Sequence, residues 1–228
     1  MNFQECDLGF THQAENTLVF FGNKNADLDK IKVKFPSIEF LRLKQTHSNS
    51  VLEASLQLTE ADSHWTSKSN TGLLIATADC LPIMICNNKT GVISAVHAGW
   101  RGVENQITLK TLKKIITAET KVGDLQVWIG PHILQKSFEV EHPVLNLLLK
   151  SYVSENPQNC YFATDDKFFI DLVAIIKSQI SSCVGRLPEI FILEKDTKAE
   201  ALFHSFRRDK SDSGRNLSFI ARCPQDTK

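Results

Sequence analysis

Nine short apolar runs, rich in β-branched and aromatic residues, are the feature that most constrains the fold of this chain. Runs of this length and composition between polar or turn-forming residues are typical of β-strands. They predict strands at Thr17–Phe21, Ile38–Leu43, Ser50–Ala54, Gly72–Ala78, Ile83–Cys86, Gly91–His97, Leu125–Ile129, Glu189–Leu193 and Leu217–Ala221. The most apolar stretch, Thr71 to Cys86, is only 16 residues long. It falls short of the roughly 20 residues that cross a bilayer and therefore predicts buried strands.

Apolar residues also recur at helical spacing in two parts of the chain. They predict one helix after Gly102, marked by Ile107, Leu112, Ile115 and Ile116, and another marked by Phe169, Leu172, Val173, Ile176 and Ile180. A third helix is predicted from Pro143 to Tyr152. Strands and helices do not alternate strictly, and no Gly-x-Gly-x-x-Gly or Walker sequence is present, so a doubly wound nucleotide fold is not expected. The pattern predicts an α+β fold, a mixed β-sheet sandwich covered by helices.

Length and charge narrow the classes of function. With 228 residues and 42% apolar composition, we expect a single domain spanning residues 1–228. Because 26 basic residues balance 26 acidic ones, no net field would hold the chain on nucleic acid or an anionic membrane. The first ten residues carry two acids and no apolar core, which does not predict a signal peptide. We therefore expect a cytoplasmic protein with neither nucleic-acid nor membrane partners.

The six cysteines are spread along the chain without close paired spacing. A chain of this length folds without covalent cross-links, so a disulfide framework is not expected. Their thiols are therefore available for metal binding or catalysis.

Three segments carry candidate metal ligands: Gln45-Thr-His-Ser, Thr77-Ala-Asp-Cys-Leu-Pro and Val96-His-Ala-Gly-Trp-Arg-Gly. Each places a ligand at or near the end of an apolar run, where a rigid scaffold meets solvent. The two imidazoles of His47 and His97 and the thiolate of Cys80 suit Zn²⁺. Three protein ligands with one open position are the catalytic pattern, and a metal held in this way acts as a Lewis acid.

Each of these residues also fits a structural role. A histidine at a strand end is often simply hydrogen-bonded, and Cys80 inside an apolar run can be a small core residue. The spacings of 33 and 17 residues match no local zinc motif. The residues alone therefore leave the choice between a metal site and structural roles open.

The small residues after His97 predict that other groups can approach the histidine closely, and the helix start that follows predicts an anion-binding site. Ala98 and Gly99 leave room beside the histidine, and the next residues open a helix. Backbone N–H groups at a helix start, together with Arg101, would bind an anion such as phosphate. The alternative is that Gly99 and Gly102 only shape a turn and that Arg101 is solvated.

These segments together resemble the hallmark motifs of the YfiH family, often called polyphenol oxidase or laccase-domain proteins. Gly130-Pro-His-Ile with Phe138-Glu-Val, and Ser205-Phe-Arg-Arg-Asp with Ser213-Gly-Arg, resemble two further blocks of that family in the same order. The resemblance runs from about residue 45 to the end of the chain. It implies an α+β sandwich and a metal site formed by the matching His47, Cys80 and His97.

The chain departs from the family in three places. Before residue 40 it lacks the family's Ser-Leu-Asn and Asn-Arg elements and reads Phe21-Gly-Asn-Lys-Asn, so purine contacts there do not carry over. Paired cysteines before the Glu-Val block appear here as Lys136-Ser137, and a later Cys-Thr pair appears as Asp196-Thr197. None of these departures touches the three ligands.

The resemblance implies purine nucleoside chemistry: phosphorolysis of adenosine, inosine, guanosine and methylthioadenosine, and deamination of adenosine. Purine nucleosides and phosphate would then be the partners, and we expect a monomer. Arg101 is the candidate for holding phosphate. Asp79 is the nearest candidate for moving protons, although neighbours on a strand point to opposite faces and Asp79 could instead support the backbone. His132 and Arg207, in matching blocks, are candidate substrate-binding residues.

Three rival interpretations stay open. Copper can bind two imidazoles and a thiolate more tightly than zinc, which would suit a copper-dependent polyphenol oxidoreductase. However, the chain has seven histidines and no His-x-His pair, whereas a multicopper oxidase needs many. Cys80 could instead be the nucleophile of a cysteine hydrolase or deamidase with His97 as its base. The third alternative is a non-catalytic, zinc-stabilised nucleoside-binding protein.

Overall fold

The computed structural model describes residues 3–153, 156–165 and 167–223, and strands dominate them. The strands are β1 (Gln4–Cys6), β2 (Gly9–Ala14), β3 (Thr17–Gly22), β4 (Glu39–Arg42), β5 (Val51–Glu53), β6 (Ser63–Thr66), β7 (Thr71–Thr77), β8 (Leu81–Asn87), β9 (Val92–Ala98), β10 (Leu125–Ile129), β11 (Glu139–Val140), β12 (Tyr161–Thr164), β13 (Lys167–Ile170), β14 (Glu189–Ile192) and β15 (Asn216–Arg222). The helices are α1 (Leu28–Lys34), α2 (Trp100–Glu104), α3 (Ile107–Ile115), α4 (His142–Ser151), α5 (Leu172–Val184) and α6 (Phe206–Asp209). In the described ranges, every helix is too short or too polar to span a bilayer.

Two six-stranded sheets pack face to face. The first has the order β1-β2-β3-β15-β7-β4, and the second has the order β14-β10-β8-β9-β6-β5. A third, three-stranded sheet has the order β11-β13-β12. Between the two large sheets, Phe21 and Ile75 of the first belong to one buried cluster with Met84, Ile93 and Trp128 of the second. The inner faces of both sheets are therefore apolar and closed to water.

Helices cover the outer faces of the sandwich. Apolar residues of α3 and α5, such as Leu112 and Ile176, form a buried cluster with Ile83 and Val96 of the second sheet. On the first sheet, Ile31 of α1 belongs to the cluster that covers the outer face. The predicted α+β sandwich covered by helices is confirmed.

All nine predicted strands are present, with ends that shift by at most two residues. The unpredicted strands are β1, β2, β6, β11, β12 and β13, which are short or carry polar residues where a core strand would be apolar. One helix assignment was wrong at its start, because Phe169 lies in β13 and α5 begins only at Leu172. Asp171 caps α5 by accepting the N–H of Ala174 at 3.0 Å, and this cap separates the strand from the helix.

Strand directions bring three chain segments to one edge of the sandwich. β4 and β7 are parallel, so the residues that follow them leave the first sheet at the same edge. After Thr77 the chain crosses to the second sheet, where β8 begins at Leu81. β9 runs antiparallel to β8 and places His97 opposite Pro82 at that same edge. The predicted ligands therefore meet because of topology and not because of sequence spacing.

The buried His64 in the second sheet is expected to make the folded protein less stable in acid. His64 of β6 is 1% exposed, and neither ring nitrogen has a hydrogen-bond partner. Burial lowers the pKa of His64 from 6.5 to about 3. In the unfolded chain His64 is protonated below about pH 6.5, whereas in the folded chain it stays neutral down to about pH 3. The free energy of unfolding therefore falls as the pH drops through this window.

We expect His64→Leu to remove this sensitivity. Each pH unit inside the window corresponds to about 1.4 kcal/mol, so between pH 7.5 and 4.5 the wild type should lose about 2.7 kcal/mol more stability than the variant. Urea unfolding of both proteins at the two pH values measures the difference. Equal losses would show that His64 does not control the acid response.

Candidate metal centre

Three predicted ligands come together at this edge of the sandwich. Nε2 of His47 lies 4.0 Å from Sγ of Cys80, and the ligand atoms of His47, Cys80 and His97 all lie within 4.8 Å of one another. His97 is buried, Cys80 is half-buried and His47 is exposed. In the part of the chain that the structure describes, no other group of three histidine, cysteine or acidic side chains converges in this way.

The backbone around the three ligands adopts conformations that bring them close. His47 has φ +59° and Asp79, which precedes Cys80, has φ +83°. This left-handed region costs non-glycine residues about 1–2 kcal/mol. At Gly99, an added Cβ would lie 3.0 Å from Sγ of Cys80 and 3.1 Å from Cδ2 of His47. Gly99 therefore leaves the space in which the thiol and the imidazole approach each other.

Asp62, which no sequence motif marks, organises both histidines. Its fully buried carboxylate accepts a hydrogen bond from Nδ1 of His97 at 2.7 Å. It also accepts the backbone N–H groups of Thr46, His47 and Ser48 at 3.2, 3.1 and 2.6 Å, and the hydroxyl of Ser48 at 2.7 Å. Because Nδ1 of His97 donates to Asp62, its Nε2 is the atom left to bind a ligand.

Charges in this cluster reinforce one another. Burial opposes ionisation of Asp62, but hydrogen bonds from His97 and Ser48 lower its pKa to about 2. Burial would also lower the pKa of His97, yet Asp62 and Cys80 raise it to about 9. Burial would raise the pKa of the Cys80 thiol, but the two imidazoles, His47 more than His97, lower it to about 7. Without a metal, the cluster therefore favours a Cys80 thiolate beside a protonated His97, and a metal ion at Nε2 of His97 would take the place of that proton.

The donor chemistry fits a zinc-type ion. Two imidazole nitrogens and a thiolate sulfur are preferred zinc donors, and the three side chains line an open cavity instead of enclosing a fourth protein ligand. The same donors accommodate copper, so the choice of metal does not follow from them.

The cavity beside the three ligands has a volume of about 550 Å³. This lies within the range of small-molecule sites. Its lining combines three arginines with aromatic side chains and one carboxylate: Arg101, Arg207, Arg215, Trp100, Phe138, Phe206 and Asp79. A ligand with an anionic group and a flat apolar ring would match this lining.

Arg101 and Arg207, two of the predicted residues, line the cavity. Arg101 is exposed on α2, with its guanidinium carbon 4.3 Å from the centre of the Trp100 ring. Arg207 donates from Nη1 to the carbonyl of Glu139 at 2.9 Å, and its guanidinium carbon lies 5.5 Å from the centre of the Phe138 ring. Both arginines are therefore steadied by an aromatic ring at the cavity wall.

The structure separates His132 from this group. His132 is 3% exposed, and its Nδ1 donates to the carbonyl of Gly130 at 2.8 Å. It lines a neighbouring cavity of about 230 Å³, which shares only Ile133 and Leu172 with the larger one. The geometry thus gives no support to a substrate contact by His132.

Asp79, predicted as a proton carrier, lines the cavity but has both carboxylate oxygens engaged. Oδ1 accepts the hydroxyl of Thr197 at 2.7 Å, and Oδ2 accepts the backbone N–H of Arg207 at 2.6 Å. This placement favours the alternative role, support of the backbone.

Sequence reasoning missed two kinds of site residue. Asp62 precedes a short unpredicted strand, and a single acid in such a place carries no signal of its own. Arg215, which lines the cavity, lies in the Ser213-Gly-Arg block, so its match to the family motif is the sequence signal that marks it.

The sandwich fold groups His47, Cys80 and His97 in the lining of a ligand-sized, arginine-rich cavity, an arrangement that fits a protein able to bind a metal ion and a small molecule. The chain belongs to the family described as multi-copper polyphenol oxidoreductase laccase, whose model matches residues 2–223. YfiH proteins are among the relatives, as the motifs predicted.

Individual relatives carry a more specific name. A purine nucleoside phosphorylase of Clostridium acetobutylicum is 31% identical over 215 residues, covering 92% of this chain and 89% of the relative. The purine nucleoside phosphorylase YfiH of Escherichia coli is 29% identical over 182 residues, covering 78% of this chain and 72% of the relative.

Solved structures show the same fold. The crystal structure of YlmD from Geobacillus stearothermophilus superposes with a TM-score of 0.86 at 22% identity, covering 97% of this chain and 99% of that one. A Bacillus licheniformis protein named YfiH gives a TM-score of 0.87 at 19% identity, covering 96% and 98%. The α+β architecture is thus shared along nearly the whole chain.

Proposed function

We propose that this chain is a zinc-dependent purine nucleoside phosphorylase that also deaminates adenosine to inosine. The observation that carries the proposal is the open group of His47, Cys80 and His97 in the lining of an arginine-lined cavity. The names of the relatives point to the same reaction class. Adenosine, inosine, guanosine and methylthioadenosine are the proposed substrates, with phosphate as the second one.

Phosphorolysis requires an oxygen of phosphate to attack C1′ of the ribose while the bond to the purine breaks. The anion must therefore be held against the ribose, and positive charge is needed where it binds. Arg101 and Arg215 line the cavity and have no carboxylate partner among the described residues, so both can bind phosphate. The aromatic rings of Trp100, Phe138 and Phe206 offer faces for the purine.

His47, Cys80 and His97 would hold the zinc ion, which would supply Lewis-acid chemistry beside the cavity that they line. The protein's part is to position these side chains: Asp62 orients the ring of His97 through Nδ1 and holds the backbone of His47 through its N–H. Trp100 and Phe138 line the cavity beside them and give its wall an apolar surface.

One observation favours a second candidate, a cysteine hydrolase or deamidase. Asp62 binds Nδ1 of His97, and Cys80 lies beside the other side of that ring, so the three residues have the order of a Cys–His–Asp triad. The lowered pKa of Cys80, about 7, suits a nucleophile as well as a metal ligand. Metal content separates the two candidates: stoichiometric zinc that blocks alkylation of Cys80 favours the metalloenzyme.

The reaction itself is tested by chromatography of products after incubation of metal-replete protein with adenosine. With phosphate present, we expect adenine and ribose 1-phosphate, together with inosine and the hypoxanthine that phosphorolysis of inosine releases. Without phosphate, we expect inosine and ammonia but no free base, because deamination consumes only water. Free base formed equally fast in both samples would contradict phosphorolysis, and no product in either sample would contradict the proposed function.

Arg101→Gln serves as the anion-binding control in the same assay. Arg101 is exposed, so its loss should leave the fold intact. We expect the KM for phosphate to rise about tenfold or more, which corresponds to the loss of one charge-assisted hydrogen bond, while deamination stays near the wild-type rate.

A further inference from the structure

Asp79 stands at the point where the chain crosses between the sheets, immediately before Cys80. It is 9% exposed and has φ +83°, a conformation that a non-glycine residue keeps only when its surroundings hold it there. Three hydrogen bonds do so. Its carboxylate accepts from Thr197 and Arg207, and its backbone carbonyl accepts the N–H of Ile133 at 3.0 Å.

Hydrogen bonds to the backbone of Thr197 hold this residue in place. It is fully buried, and its N–H donates to the carbonyl of His132 at 3.0 Å. The guanidinium of Arg208 donates to the carbonyl of Thr197 at 2.9 Å and to that of Phe203 at 2.8 Å, which closes the loop around Thr197. The hydroxyl of Thr197 therefore donates to Asp79 from a fixed position.

We propose that Thr197 is a positioning residue for Cys80: its hydroxyl holds Asp79 in the left-handed conformation that directs the thiol toward the two histidines. The inference rests on the proposed metal centre but not on the purine reaction. It assigns the two halves of the centre to separate supports, since Asp62 holds the histidines and the pair Thr197–Asp79 holds the cysteine.

The energetics favour a large local effect. Removal of the hydroxyl leaves Oδ1 of Asp79 without its donor, and the carboxylate, which is only 9% exposed, regains a partner by turning toward water in the cavity that it lines. A turn at Asp79 moves the next residue, because the backbone dihedrals of Asp79 set the direction of the chain into Cys80. Supporting hydrogen bonds of this kind around metal sites change metal affinity by about 10–100-fold when they are removed.

Two variants of one residue isolate the hydroxyl. Thr197→Val keeps the shape of the side chain and loses the donor, whereas Thr197→Ser keeps the donor. Thr17→Val is the matched control, because Thr17 is buried and donates to Sγ of Cys86 at 3.4 Å at the opposite end of the first sheet. Thermal unfolding confirms that each variant is folded at the assay temperature.

Zinc affinity, measured by competition with a chelator, is the first readout. We expect Thr197→Val to weaken zinc binding about 10–100-fold and both Thr197→Ser and Thr17→Val to stay within about threefold of the wild type. Loss of affinity shared by Thr197→Val and Thr17→Val would overturn the proposal, because it would reflect stability alone. Zinc binding as weak in Thr197→Ser as in Thr197→Val would overturn it too, because the hydroxyl would then not be the group that matters.

Alkylation of Cys80 by iodoacetamide in the metal-stripped protein is the second readout, quantified by mass spectrometry of the peptide that contains Cys80. We expect the rate in Thr197→Val to fall several-fold, because the thiol no longer lies within reach of the two imidazoles, and the rate in Thr197→Ser to match the wild type. If the wild type binds no zinc, the proposed metal centre fails and this rate alone decides: an unchanged rate in Thr197→Val overturns the positioning role.

Discussion

His47→Ala should abolish zinc retention and nucleoside turnover while the fold survives. The side chain is exposed, so little packing is lost with it, and the backbone of its segment stays tied to Asp62 through the N–H groups of Thr46, His47 and Ser48. Removing one of three ligands leaves only two. We expect the release of hypoxanthine from inosine to fall at least about a hundredfold, equivalent to about 3 kcal/mol of the stabilisation that a metal supplies.

A companion variant separates ligand loss from backbone strain. His47 has φ +59°, and alanine tolerates that conformation poorly, whereas asparagine adopts it more readily. His47→Asn should therefore lose zinc and activity as His47→Ala does, but with a melting temperature closer to that of the wild type. Zinc analysis, hypoxanthine release and thermal unfolding of the three proteins are the measurements.

The same experiment distinguishes an enzyme from a zinc-stabilised binding protein. If zinc served stability alone, the melting temperature of His47→Ala would fall in step with metal loss, and the wild type would show no turnover. A His47→Ala protein that releases hypoxanthine at the wild-type rate would remove His47 from the mechanism and the metal centre with it.

The local sequence pattern predicted the two large sheets well because strands buried on both faces are continuous apolar runs. β7, β8 and β9 read as continuous apolar runs, and their inner residues are buried in the sandwich. The small sheet was missed, because strands such as β12 (Tyr161–Thr164) and β13 are short and partly exposed. Pattern also failed at element ends, where single side chains decide: Asp171 stops β13 from running into α5.

The candidate site could be predicted only as far as its ligands are visible in motifs. His47, Cys80 and His97 were found from their segments, and the structure brings them together. Their supports could not be found, because Asp62 and Thr197 act over separations of 35 and 118 residues along the chain. Such contacts depend on how two sheets pack, which no local spacing records. Asp79 shows the same limit, since only the structure reveals that both of its carboxylate oxygens are occupied.

Asp62→Ala should damage both stability and the metal centre, in contrast to His47→Ala. Asp62 is fully buried, and its carboxylate accepts five hydrogen bonds, one of them from the ring of His97. Without it, three backbone N–H groups and a buried imidazole lose their acceptor. Breaking a buried charged pair costs about 3–5 kcal/mol, so we expect a loss of unfolding free energy of that size.

Asp62→Asn separates the loss of stability from the loss of metal affinity. The amide keeps the shape of the side chain and one accepting oxygen, but its NH₂ group now faces N–H donors and cannot accept from them. We expect a smaller loss of stability than in Asp62→Ala, yet zinc affinity about 10–100-fold below that of the wild type, because Nδ1 of His97 and the His47 segment compete for one acceptor.

Urea unfolding and chelator competition on the same three proteins measure the two effects separately. If Asp62 organises the centre, the variants of Asp62 lose stability and zinc affinity together, whereas His47→Ala loses zinc affinity with its stability nearly intact. Wild-type zinc affinity in Asp62→Asn would mean that His97 finds its orientation without the carboxylate. In that case Asp62 would not organise the centre, which would depend on Gly99 and on the strand ends alone.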